Sequence, residues 1–307
     1  MGRFLMIGEA LVDIVRTADR APTAHPGGSP ANVALTTARL GHETALLTWI
    51  ARDELGDLIG RHLSASGVAV LQQSLGATRT PTASAVIDGA GAARYEFDIE
   101  WELSPPPVDP EVTVVHTGSI AALAPTDPPG ALSSVLAAAR AHATITYDPN
   151  LRPTIMGPVD EIRGGVEALV ARADVVKVSD EDLAWLYPDS DPHDVIARWV
   201  AESALAIGVV TLGAGGSFAV LQNGARVHVA APSVTVVDTI GAGDSFTGGL
   251  LHGLDERGLI GAHRRDELAA MTADVATEVL TVAARTAAVT VGRAGADPPT
   301  LAELTRR

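Results

Sequence analysis

Hydrophobic and polar positions along this chain change period midway, and the change outlines its architecture. Residues 3–8 form a short apolar run that reads as a buried strand. Residues 29–40 read as a helix, with Ser29 as its cap, Pro30 in the first turn and Gly41 just past the end. Residues 44–50 read as a strand, and residues 54–66 as a helix stopped by Gly67. Two alternating stretches follow, residues 82–88 and 93–99, joined by Gly89-Ala90-Gly91, which signals a hairpin. Its second strand sets Tyr95, Phe97 and Ile99 on one face, and Arg94, Glu96, Asp98 and Glu100 on the other.

Beyond Pro105-Pro106-Pro107 the pattern becomes a regular alternation of strand and helix. Strands at residues 112–116, 144–147, 175–178 and 207–211 alternate with helices at 131–142, 160–172, 181–186 and 195–204. This rhythm predicts a mostly parallel sheet covered by helices, with ligands beyond the carboxyl ends of the strands. Asp13, His116, Asp148, Lys177, Thr211 and Asp244 all lie at or just after such apolar runs. Residues 234–237 read as a further strand, and residues 265–291 as one long closing helix. With no internal repeat and no dividing linker, residues 1–307 read as one α/β domain.

Composition narrows the function classes. At 47% hydrophobic residues the chain has ample material for a core. It contains no apolar run long enough to span a membrane and no basic-then-apolar leader, so no membrane partner is expected. Cysteine is absent, which excludes disulfides and thiol catalysis; with no leader, a cytoplasmic location is the expectation. A net charge of −15 without a basic patch points away from nucleic acid. Lys177, the only lysine, follows Asp174-Val175-Val176 and not a glycine-rich run, so there is no P-loop. The G-x-G-x-x-G fingerprint fails at Phe246, the histidines lack metal-binding spacing, and no G-x-S-x-G elbow occurs.

The candidate chemistry centres on Asp238-Thr239-Ile240-Gly241-Ala242-Gly243-Asp244. Phe246, Leu250, Leu251 and Leu254 then recur at helical spacing, which puts the small-residue turn at a helix N-terminus, where unpaired amides favour an anion. A carboxylate beside an anion site is repulsive, unless Asp244 takes a proton from a hydroxyl attacking a phosphate. The plainer reading makes Asp244 a helix cap.

Other clusters carry the same two-sided reading. Gly27-Gly28-Ser29-Pro30-Ala31-Asn32 is either a ligand loop or a capped helix start. Asp13, isolated among Leu11, Val12, Ile14 and Val15, is either an acceptor for sugar hydroxyls or an exposed strand end. Asp148-Pro149-Asn150-Leu151-Arg152 is either a polar cluster at the mouth of a site, with Arg152 near phosphate or sugar, or a proline turn with a local ion pair. In Ser179-Asp180-Glu181-Asp182 the acids either complement a helix dipole or place Asp182 on Mg²⁺ through water. Thr211-Leu212-Gly213-Ala214-Gly215-Gly216 either wraps a nucleotide or turns a hairpin.

The two glycine-rich segments, in this order, resemble the paired signatures of the ribokinase-like (PfkB) carbohydrate kinases. Gly8-Glu9-Ala10-Leu11-Val12-Asp13, Asp148-Pro149-Asn150-Leu151-Arg152, Ala173-Asp174-Val175-Val176-Lys177 and Val210-Thr211-Leu212-Gly213 are similar to the bacterial fructokinase branch. The resemblance implies an αβα sandwich with a doubly wound, mostly parallel sheet and a small β-sheet lid, formed by about residues 9–27 and 82–104. It implies transfer of the γ-phosphoryl group of MgATP to a sugar hydroxyl, with Asp244 as base and the amides of Gly241, Ala242 and Gly243 as anion hole. Asp13, Gly28 and Asn32 match sugar-binding positions. Ser179, Thr211, Gly213, Gly215 and Gly216 fall at nucleotide positions, and Asp238 with the carbonyl of Ile240 at a potassium site.

One departure is that the family's Asn-x-x-Glu appears here as Ser179-x-x-Asp182. The lid acids Glu96, Asp98, Glu100 and Glu102 would repel a sugar acid if they faced inward, favouring a neutral sugar. The expected activity is fructokinase. 2-Keto-3-deoxygluconate, ribose and adenosine are rival acceptors, and a non-catalytic sugar or nucleotide sensor is the reading from another class. The apolar hairpin face suggests a homodimer through the lid.

Overall fold

The first apolar run becomes the strand around which the main sheet is built. The computed structural model describes residues 2–17, 20–87, 93–103, 107–124 and 130–306. In chain order the strands are β1 (Arg3–Ile7), β2 (Leu11–Thr17), β3 (Arg20–Gly27), β4 (Glu43–Leu47), β5 (Ala69–Val70), β6 (Thr82–Ile87), β7 (Ala93–Asp98) and β8 (Val114–Gly118). They continue as β9 (Thr144–Asp148), β10 (Val175–Ser179), β11 (Ile207–Thr211), β12 (Ser217–Leu221) and β13 (Arg226–Val229). The main sheet has nine strands in the order β13-β12-β11-β10-β9-β8-β1-β4-β5. Its pairings are parallel except β11–β12 and β12–β13. The chain builds outward from β1 in one direction through β4 and β5, then crosses to β8 and builds in the other. Strand order therefore reverses beside β1, which opens a crevice beyond the carboxyl ends of β1 and β8.

Alternation along β1 divides the core into two layers. Phe4 and Met6 pack with Val33, Ile59, Leu250 and Leu280 on one side of the sheet. Leu5 and Ile7 pack with Leu136, Val166 and Trp199 on the other. The helices Ser29–Arg39, Ala242–Glu256 and Ala273–Val291 thus cover one face, and Ala131–Ala139, Val159–Val170 and Pro192–Glu202 the opposite one. The result is the expected αβα sandwich.

A second, four-stranded sheet has the order β3-β2-β6-β7. It contains the expected hairpin strands; the Gly89-Ala90-Gly91 turn lies outside the described residues. In register, Asp13 pairs with Ala83, and Ala83 with Phe97, so these three share a face. Ser84 pairs with Glu96, and Thr82 with Asp98, which puts both acids on the opposite face. Asp98 accepts from Arg79 Nε at 2.6 Å, and Glu100 from the Thr78 hydroxyl at 2.6 Å. Glu96 and Asp98 therefore do not look toward the Asp13 side, so these two acids would not repel a sugar acid bound there.

Three local expectations are corrected. Residues 234–237 form no strand: Val234, Val236 and Val237 are exposed, and the Val237 amide donates to the Val291 carbonyl at 2.8 Å. The backbone of this stretch meets the end of the Ala273–Val291 helix instead of a strand, with the Asp238 amide also donating to the Val291 carbonyl. Residues 265–291 are two helices, Arg265–Ala269 and Ala273–Val291, the second capped by Thr272, whose hydroxyl accepts from the Val275 amide. Ser29 does not cap its helix; Gly28 occupies that position and the Ser29 hydroxyl is directed elsewhere.

Candidate active site

Gly241 sets the corner. It adopts a left-handed conformation, φ 72°, and a Cβ there would stand 2.6 Å from the Cβ of Ala296, so the backbone demands glycine. The helix Ala242–Glu256 begins at once, and Asp244 falls in its first turn. Asp244 is buried, and its carboxylate does not cap its own helix. Oδ1 instead accepts from the Ser29 hydroxyl at 2.7 Å, and Oδ2 from Asn32 Nδ2 at 2.8 Å. Asn150 Nδ2 makes a longer approach to Oδ1 at 3.4 Å. Burial pushes the Asp244 pKa up; the Asn32 and Ser29 hydrogen bonds oppose that, as does Lys177, while the charge of Asp148 adds to it. The amide of Ala242 already donates to the Thr239 carbonyl at 3.2 Å. The amides of Gly243 and Asp244, in the first helical turn, have no acceptor within the helix.

The carboxyl end of β9 brings in a second group of residues. Asn150 has φ 38°, a conformation its short amide tolerates, and this turns its side chain back toward Asp244. Arg152 Nη1 donates to Asn150 Oδ1 at 2.8 Å and to the Leu151 carbonyl at 2.9 Å. Asp182 Oδ1 accepts from the Leu151 amide at 3.0 Å, so the acid of the Ser179 turn buttresses the loop that carries Arg152. Burial, reinforced by Asp148, raises the Asp182 pKa. Ser179 caps its helix by accepting from the Asp182 amide at 3.0 Å. Lys177 donates to Asp148 Oδ2 at 3.0 Å, and both are buried.

The small sheet supplies Asp13. A Cβ on Gly27 would lie 2.3 Å from Asp13 Oδ2, so the carboxylate rests on bare backbone. Burial raises its pKa, and the nearby charges of Arg152 and His25 pull it down. A Cβ on Gly28 would meet the Glu9 carbonyl at 2.5 Å, and Gly28 has φ 103°. Glu9 is buried at the carboxyl end of β1 and accepts from the Ala121 amide at 3.1 Å; burial raises its pKa also.

Of the nucleotide and cation candidates, Ser179 and Asp182 belong to this cluster, and Thr211 on the neighbouring strand pairs with Ser179. Thr211 ends β11, and Gly213–Gly215 form a single exposed turn into β12, so the hairpin reading of the segment holds. A Cβ on Gly216 would strike the Val229 carbonyl at 2.1 Å. Asp238 accepts from the Ile240 amide at 3.0 Å and the Gly295 amide at 2.8 Å, and these backbone bonds hold its pKa down. Among the described residues, no group of three or more histidines, aspartates or glutamates could hold a metal unaided, and no helix is long and apolar enough to cross a membrane.

The structure thus gathers Asp244, Asn32, Arg152 and Asp182, and reaches Asp13 through the charge of Arg152. The contacts made by Ser29, Asn150, Glu9 and Lys177 are not legible in the sequence. Ser29 looked like a cap because serine before a helix usually is one. Asn150 and Lys177 were visible at strand ends, and only tertiary pairing brings them to Asp244.

The sequence pattern of the pfkB family carbohydrate kinases matches residues 1–303. A fructokinase from Klebsiella pneumoniae is 32% identical over 282 residues, covering 90% of each chain. A Vibrio cholerae fructokinase solved in a fructose, ADP and calcium ion bound form is 25% identical, with TM-score 0.80 over 99% of this chain and 98% of that one. The Salmonella enterica aminoimidazole riboside kinase, complexed with aminoimidazole riboside and an ATP analog, is 27% identical, with TM-score 0.77 over 99% and 98% of the two chains. The family pattern matches nearly the whole chain, and the protein belongs to the pfkB family of carbohydrate kinases, phosphotransferases that act on a sugar hydroxyl.

Proposed function

We propose that the protein is an ATP-dependent fructokinase in which Asp244 removes the proton of the attacking hydroxyl. The observation that carries this reading is the holding of Asp244 by Ser29 and Asn32 at the start of the Ala242–Glu256 helix. Oδ2 accepts one hydrogen bond, from Asn32, and keeps a lone pair for a sugar hydroxyl. The sugar oxygen bonds to the γ-phosphorus, the bond to the β-phosphate oxygen breaks, ADP leaves, and Asp244 holds the proton. The Gly241 and Gly243 amides donate to the phosphoryl oxygens; the Ala242 amide joins them on giving up its bond to Thr239. Asp13 and Arg152 hold the sugar, with Gly28 allowing close approach. Thr211, Gly213, Gly215 and Gly216 line the nucleotide, with Ser179 beside it. The small sheet acts as a lid that excludes water.

The residues present suit the expected cations. Mg²⁺ usually takes few protein ligands and completes its shell with water and phosphate. A single buried Asp182, with one oxygen engaged by Leu151, fits water-mediated contact. Asp238, kept ionised by two amides beside the anion-hole turn, fits a potassium site with the Ile240 carbonyl. Mg²⁺ would neutralise charge developing on the phosphates. A coupled ADP-release assay with fructose, ribose, adenosine, aminoimidazole riboside and 2-keto-3-deoxygluconate, with and without potassium, tests the reading. Fructose giving the highest kcat/KM supports it. Preference for another acceptor reassigns the substrate, and binding without turnover on any of them indicates a sensor.

A further inference from the structure

Lys177 has no part in the reaction set out above, yet it is the only lysine beside the chain's many arginines. It is buried on β10, and its Nζ lies 3.0 Å from Asp148 Oδ2. Thr247, in the same helix as Asp244, donates its hydroxyl to that oxygen at 3.1 Å. The other oxygen of Asp148 is buried without a hydrogen-bond partner, so Lys177 and Thr247 both act on Oδ2. On its far side the ammonium abuts the turn: a Cβ on Gly243 would lie 2.9 Å from Nζ. Lys177 is therefore held between a buried carboxylate and the backbone immediately before Asp244.

The charges facing this point are unbalanced. Asp148 acts on both Asp182 and Asp244, and all three acids act on Lys177. His116 also faces Asp148 and Lys177, but burial lowers its pKa to about 4, so it is neutral near pH 7. Ser29, Asn32 and Asn150, which approach Asp244 directly, are uncharged. Lys177 is thus the cation held against these three acids. A compact ammonium fits against Gly243, where a planar guanidinium would need more width.

We propose that Lys177 is a positioning residue for phosphoryl transfer: its ammonium offsets the like charge of Asp148 on Asp244 and fixes a positive charge behind the Gly243 amide. This rests on the kinase reading above. It also accounts for Gly243, since any side chain there would displace the ammonium.

Two substitutions should act in opposite directions. Lys177→Met leaves Asp148 to oppose ionisation of Asp244, so the acid limb of kcat against pH, measured with fructose and ATP, moves up by about 1 unit. Asp148→Asn frees Lys177 to favour the Asp244 carboxylate, so the limb moves down. KM for either substrate stays within about threefold, because neither residue touches substrate. Limbs that coincide with the parent, or that both move the same way, overturn the proposal. If Lys177→Met does not fold, the lysine resonance decides, because Asp148→Asn lowers the limb through its own lost charge alone. A readout free of turnover is also available, since ¹³Cε-lysine labelling gives a single resonance. That signal should inflect with the titration of Asp244 and lose the inflection in Asp244→Asn; a signal that never inflects overturns the proposal. An enzyme inert with fructose removes the fructokinase reading, while the lysine resonance still decides the role of Lys177.

Discussion

Ser29 donates its hydroxyl hydrogen to Asp244 across 215 residues of chain, at 2.7 Å. The contact joins the start of one helix to the start of another and fixes the carboxylate before any sugar arrives. Removing the donor should expose how far Asp244 depends on it. In Ser29→Ala and in Asn32→Ala, loss of a hydrogen bond to the ionised form should move the acid limb of kcat/KM upward by about 1 unit. The pH dependence of initial rates checks this.

Substitution at the turn tests geometry rather than charge. Gly241→Ala forces a Cβ into a left-handed residue and against Ala296. Destabilisation of about 1 kcal/mol or more is expected, with a lowered kcat because the anion-hole amides shift. Urea unfolding and steady-state kinetics measure the two effects separately.

Asp13 should reveal itself as a binding group. Asp13→Ala removes the carboxylate that accepts hydrogen bonds from the sugar hydroxyls, worth about 1.5–3 kcal/mol, so the KM for sugar should rise about tenfold or more. The KM for ATP should hardly move. Equal changes in both constants would indicate loss of structure instead.

Much of the site could be read from the chain because its chemistry is local. The glycines around Asp244, the loop ending in Asn32 and the strand-end position of Arg152 are all contiguous signals. What was not readable depends on register and pairing. Whether Glu96 and Asp98 face the site is decided by the pairing of Ala83 with both Asp13 and Phe97, which no local period reveals. Residues 234–237 look like a strand to any reading of β-branched residues, and only the absence of a partner leaves them outside the sheet. Lys177 follows no glycine-rich loop, and it reaches the turn from a different strand.

Buried histidines give the fold a pH dependence independent of catalysis. Burial depresses the pKa of His116 to about 4, and also that of His42, which lies 3.0 Å from His252. Unfolded, these groups titrate near 6.5, so below that value the unfolded chain binds more protons. Their stabilising contribution is present above about pH 6.5 and declines as pH falls toward 4. Thermal melts across this range should show that decline, and His42→Gln should make it shallower.

The central claim is that Asp244 takes the proton of the attacking hydroxyl, and kcat of Asp244→Ala with a turned-over sugar tests it most directly. The account predicts a loss of about 10²-fold or more, with ATP affinity nearly unchanged. Turnover within a few-fold of the parent enzyme would contradict it.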